Sequence, residues 1–126
     1  MAENKIEQYL IEMMLSYRDL GDNLWLLDDE EQGMPQVAIM YASPLVVFRT
    51  LVMDAPQEHR LELFTKLLEL NANELVHGAY ALEQEQVVLI DTLEYDTMDF
   101  EEFRATLDAF SLALTQHYHI LSAYRT

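Results

Sequence analysis

The chain has no cysteine, only three glycines and three prolines, and just seven Lys and Arg in 126 residues. Without cysteine there is no disulfide framework, no thiolate zinc site and no cysteine nucleophile. So little Gly and Pro leaves no flexible linker, and no repeat or low-complexity tract divides the chain. No stretch approaches the ~20 apolar residues that span a bilayer. The opening Met1-Ala2-Glu3-Asn4-Lys5 lacks the basic and apolar segments of a secretory signal, so the cytoplasm is the expected location. Walker, dinucleotide-binding, Gly-x-Ser-x-Gly and His-Glu-x-x-His motifs are all missing, and no cofactor is implied.

What is present is acid. Asp and Glu number 23, the formal net charge is −16 and the pI is near 4.3. Such a chain repels phosphate backbones and anionic lipid, which argues against nucleic acid and membranes and favours a basic or neutral protein partner. Solubility alone would account for the charge equally well. With 51% hydrophobic residues in 14.7 kDa, the expectation is a single domain over 1–126 with one core.

Residues 3–20 are predicted as a helix. Ile6, Tyr9, Leu10, Met13, Met14, Tyr17 and Leu20 share one face, and Gly21 is placed as its C-terminal cap. Ile11 and Leu15 fall off that face, and this apolar pair one turn apart points to a contact surface. Leu24–Leu27 is a short apolar run closed by the acidic turn Asp28-Asp29-Glu30-Glu31-Gln32-Gly33. Val37, Ile39 and Tyr41 alternate with Ala38 and Met40, the period of a strand. After Ser43-Pro44, the run Leu45–Met53, with Arg49 its only charge, reads as a further strand. Short turns between these runs predict an antiparallel meander.

Asp54-Ala55-Pro56 is placed at the start of a second helix. Its Leu61, Phe64 and Leu68 share one face, while Leu63, Leu67 and Leu70 form a second stripe. A helix this widely apolar needs two dry neighbours, here the sheet and a second subunit. Val76–Glu83 and Val87–Leu93 read as strands around Gln84-Glu85, with Gly78 allowing a bulge or close approach. Asp99 and Glu102 form a capping box opening the last helix, lined by Phe100, Phe103, Leu107, Phe110, Leu114, Tyr118 and Leu121. The fold class is α+β: an antiparallel sheet of about five strands flanked by three helices, in the order α-β-β-β-α-β-β-α.

Three patterns resemble metal sites and fail on geometry. Glu74-Leu75-Val76-His77 has the Glu-x-x-His spacing of carboxylate-bridged sites, but those need the motif on two helices. His117 and His119 point about 200° apart on a helix, so they cannot share a metal there. Asp28-x-Glu30-x-Gln32-Gly33 starts like a calcium loop, yet its twelfth position is Ile39. No metal ligand and no catalytic residue is singled out.

Leu67-Leu68-Glu69-Leu70-Asn71 is followed by His77-Gly78-Ala79-Tyr80-Ala81-Leu82, then Val87-Val88-Leu89-Ile90, then the helix start Asp99-Phe100-Glu101-Glu102-Phe103-Arg104-Ala105-Thr106-Leu107. This layout, with the size, low pI and element order, resembles the type III secretion chaperone-like fold, which includes the Tir-chaperone (CesT-like) family and the YbjN-like proteins. The resemblance spans the whole chain in architecture and about residues 61–114 in sequence. It implies a non-enzymatic homodimer holding a partly extended segment of a client protein in apolar grooves. The second helix would then dimerise through Leu63, Leu67 and Leu70, and Ile11, Leu15, Trp25 and Leu27 would form a client surface. Two alternatives stand beside it: a YbjN-like regulator or adaptor that binds a folded partner, and an enzyme with a pocket around His77, Tyr80 and Asp91.

Overall fold

The computed structural model describes residues 4–125. Asn4 accepts a hydrogen bond from the Ile6 amide (2.7 Å) and starts α1, Lys5–Glu12. The helix expected over 3–20 therefore ends early, and its first residue lies outside the described residues. Met14 takes a left-handed φ of 58°, and Tyr17–Gly21 continues as strand β1. Bonds from beyond the segment fix this turn. Asp29 Oδ2 accepts from the Ser16 amide (2.8 Å), and Gln32 Nε2 donates to the Met14 carbonyl (2.7 Å). An amphipathic period cannot register such partners.

From β1 the chain turns through Asp22 and Asn23, both left-handed, into β2, Leu24–Leu27; such turns match strand twist. Strands β3 (Val37–Ala42) and β4 (Leu45–Asp54) extend the meander, followed by α2 (Arg60–Asn73), β5 (Ala79–Glu83) and β6 (Gln86–Glu94). Helices α3 (Phe100–Gln116) and α4 (Tyr118–Ser122) close the chain. The sheet order is β1-β2-β3-β4-β6-β5 with every neighbour antiparallel. The fold is α+β, with six strands and four helices where about five and three were expected. The added strand is β1, and the added helix follows a break at His117. Asp54, expected to cap α2, is the last residue of β4, and His59 (φ 61°) precedes the helix instead.

One sheet face packs against the helices. Phe48 of β4 meets Phe103 of α3 with ring centroids 5.4 Å apart, and Tyr9 of α1 lies against Phe100 and Phe103. Trp25 Nε1 donates to Glu7 of α1 (2.9 Å), and Thr106 Oγ1 of α3 donates to Asp91 of β6 (3.2 Å). The capping box is formed: Asp99 accepts from the Glu102 amide, and Glu102 accepts from the Asp99 amide. Helix α2 lies along β5. Asn71 accepts from the Tyr80 amide (2.7 Å) and donates to the Tyr80 carbonyl (3.1 Å), satisfying backbone groups on an edge strand.

This packing corrects most of the expected surface residues. Leu63, Leu67 and Leu70 are buried in the chain's own core, so the inward stripe of α2 is the one assigned above to a second subunit. Trp25 and Leu27 are buried because they stand on the helix-covered side of β2, and Leu15 because the turn at Met14 folds it inward. Of the expected client residues only Ile11 is open, at 63% exposure. The outward stripe of α2 is Leu61 and Leu68, at 81% and 68%.

Candidate partner-binding surface

Side chains of a strand alternate between faces. The residues opposite the core are Leu24 and Leu26 on β2, Ala38 and Met40 on β3, Leu45, Val47, Arg49 and Leu51 on β4, Val88, Ile90 and Thr92 on β6, and Ala79 and Ala81 on β5. The helix contacts with the sheet described above all fall on the other face. An antiparallel sheet solvated on one side normally carries polar residues there. Here the open side is mostly aliphatic, with Leu51 56% and Met40 41% exposed.

The centre of this face has one ion pair. Arg49 Nη2 on β4 reaches Glu83 Oε2 on β5 at 3.0 Å. Arg49 stands beside Ile90, Glu83 beside Gln86, and Val88 lies between Leu51 and Ala81. The pair therefore crosses diagonally above Val88, which is buried on a face that carries no helix among the described residues. Leu26, Ala38, Leu51 and Val88 line a shallow basin of about 460 Å³ with Arg49 and Glu83 at its side. A larger recess of about 530 Å³ lies on the helix side, where Met34 and Pro35 face Leu114 and Tyr118.

The residues considered for chemistry are engaged elsewhere. Tyr80 and Asp91 make their side-chain hydrogen bonds to residues other than His77. The Tyr80 hydroxyl lies 2.7 Å from His117 Nδ1 in the core, and Asp91 accepts from Thr106. Burial, with the nearby Glu74 charge, pushes the Tyr80 phenol up to about 12, so it stays protonated at neutral pH. The remaining His117 nitrogen, Nε2, has no hydrogen-bond partner among the described residues and lies 3.6 Å from the Glu74 carboxylate. Glu74 thus approaches His117 and not His77. The sequence carried no signal for this trio, since its members come from the end of α2, an edge strand and a helix break. His119 is exposed and His117 is buried. Among the described residues no three His, Asp or Glu side chains converge as a metal site.

The acidic turn is partly structural. Asp29 is buried and accepts from the amides of Ser16 and Gln32 and from the Gln32 side chain. Those donors, the Ser16 amide foremost, hold its carboxyl below the ordinary aspartate value of 3.8. A depressed folded value stabilises the fold above the unfolded value, and that contribution is lost as pH falls through the folded one. Asp29→Asn is therefore expected to lower the melting temperature at pH 7. The gap from the unsubstituted chain should close in melts taken progressively below pH 3.8. A gap constant with pH would remove the carboxylate from this account.

The family model CesT_Tir_1 matches residues 1–126. No curated protein matches the chain. Among solved structures, YbjN from E. coli superposes with a TM-score of 0.69 at 15% identity, covering 91% of this chain and 90% of that one. A chain of the heterodimeric ExoU–SpcU complex from the type III secretion system of Pseudomonas aeruginosa gives 0.72 at 17%, covering 88% and 93%. A chain of the HopA1–SchA chaperone–effector complex gives 0.61 at 7%, covering 94% and 88%. At these identities the likeness to the solved structures is one of fold.

Proposed function

The chain belongs to the CesT_Tir_1 family, and from that premise we propose that it is a non-enzymatic, chaperone-like protein of the cytoplasm that binds a segment of a partner protein as a homodimer. The observation that carries this reading is the uncovered aliphatic sheet face. Exposed apolar area of that extent costs solubility unless something covers it, and a protein segment is the natural cover. The unpaired edge of β1 lies at one end of the same sheet and can accept an added strand, although Arg18 and Asp19 blunt it. For the second subunit, the outward stripe Leu61 and Leu68 takes the place of the buried row on the same helix. Two solved neighbours are complexes named for the type III secretion system or for a chaperone and its effector, in keeping with a protein partner.

The test is capture of a partner in the native host, followed by proteolysis of the complex and sedimentation of the free protein. A short protected peptide is expected, lost with Met40→Glu and Leu51→Glu, together with a dimer that Leu61→Glu and Leu68→Glu convert to monomer. Protection of a whole folded domain would favour an adaptor instead. A wild-type monomer at micromolar concentration would remove the dimer, and capture unaffected by the sheet variants would remove the surface.

A further inference from the structure

The open sheet face is nearly uncharged on a chain of net charge −16. By strand register it carries Arg18 and Arg49 against Asp54, Glu83 and Glu94, so among the described strand residues only three acidic side chains stand on it. Its charge balance thus differs from that of the protein as a whole. A basic segment laid here would meet Arg49 at the centre, with Glu83 already paired to it. Acidic groups beyond this face are screened, since the Debye length is about 8 Å at physiological ionic strength.

We propose that the segment bound on this face is uncharged and aliphatic, and that the chain's acidity takes no part in holding it. This rests on the partner-binding reading above and adds the chemistry of the partner. The cross-strand rows Leu24–Met40–Val47–Thr92 and Leu51–Val88–Ala81 offer aliphatic floor on either side of the row that holds Arg49. The Arg49–Glu83 pair acts as a lid on Val88. Both side chains are close to half exposed, and such pairs contribute little to stability, so opening the lid is cheap and adds Val88 to the floor.

The experiment is calorimetric titration of the full chain with two peptides, acetyl-SVTLSITL-amide and its counterpart with lysine at the three Ser and Thr positions after the first residue, at 0.05 and 0.5 M NaCl. The uncharged peptide is expected to bind with an affinity that changes less than about twofold between the two salts, as apolar contact predicts. Leu51→Glu should weaken it by roughly tenfold or more, since a carboxylate would then face aliphatic side chains. Arg49→Ala with Glu83→Ala should bind it as well or several-fold better. The proposal is overturned if the lysine peptide binds tighter at low salt and loses that advantage at high salt, or if the double alanine variant binds the uncharged peptide more weakly. It is also overturned if that peptide fails to bind, or if Leu51→Glu leaves its binding unchanged. Sedimentation of Leu51→Glu adds one further outcome: a dimer reduced to monomer would assign the face to a second copy of this chain and overturn the proposal. Any of these results leaves capture of a partner in the host as an independent measurement of the function itself.

Discussion

Leu63→Glu combined with Leu67→Glu is expected to leave the chain unfolded at 25 °C, whereas Leu61→Glu combined with Leu68→Glu should still fold, losing only what the proposed subunit contact contributes. The two pairs lie on one helix and differ only in the direction they face. Leu63 and Leu67 are in the core, and loss of each buried Leu costs about 2–5 kcal/mol before any charge is considered. Each new carboxylate would also be stranded without a partner in apolar surroundings, adding several kcal/mol or forcing the helix away from the sheet. Together these losses approach the whole stability of a small domain, about 5–15 kcal/mol. Within one chain Leu61 and Leu68 face outward, where substitutions typically move the subunit's own stability by less than about 0.5 kcal/mol. Far-UV circular dichroism through a urea titration reads both. A native-like spectrum for the first pair would mean that the inward row faces out after all.

Gly78→Ala carries the second large effect. Gly78 sits just before β5 with φ 82°, a left-handed conformation that costs a residue with a Cβ about 1–2 kcal/mol. An added Cβ would also come within 2.9 Å of the Ile90 carbonyl oxygen and 3.0 Å of Phe110 Cε1. The first is backbone in β6 and the second a buried ring of α3, so neither gives way easily. Overpacking of this kind costs typically about 1–3 kcal/mol. The expected loss is therefore about 2–5 kcal/mol, a fall in the urea midpoint of roughly 1–3 M for ordinary denaturant slopes. Gly21→Ala is the internal control: φ is again 82°, but nothing lies within 4 Å of the added carbon. It should lose only the conformational part. Equal midpoints for the two variants would show that the space around Gly78 is not as tight as these distances say.

Much of the fold could be read from local pattern. The capping box at Asp99 and Glu102 needs only four consecutive residues to be recognised, and it forms. The alternation of Val37, Ile39 and Tyr41 gave β3, and the Gln84-Glu85 turn fell where expected, with both residues left-handed. Gly78 was expected inside a strand running from Val76, as a bulge or a close approach; the close approach is found, but the strand begins only at Ala79. The first helix was not. Its apolar period runs on through Leu20, and the turn at Met14 depends on Asp29 and Gln32, more than a dozen residues away. The open sheet face left a trace that pointed elsewhere. Leu45–Met53 is apolar on both sides of the strand apart from Arg49 and Thr50, a pattern of strands covered on both faces, but period alone does not say which side the helices take.

The sequence by itself determined the class of the protein. Acid in excess, no cysteine, a 3.6-residue period at the C-terminus and a two-residue period in the middle are properties of neighbouring residues, and they fix α+β elements and exclude several chemistries. Tertiary structure alone decided which apolar stripe of α2 turns inward, which sheet face stays bare and that the bare face is nearly neutral. Those outcomes depend on strand register and on contacts between residues far apart in the chain. Two stripes of equal hydrophobicity look alike until something packs against one of them.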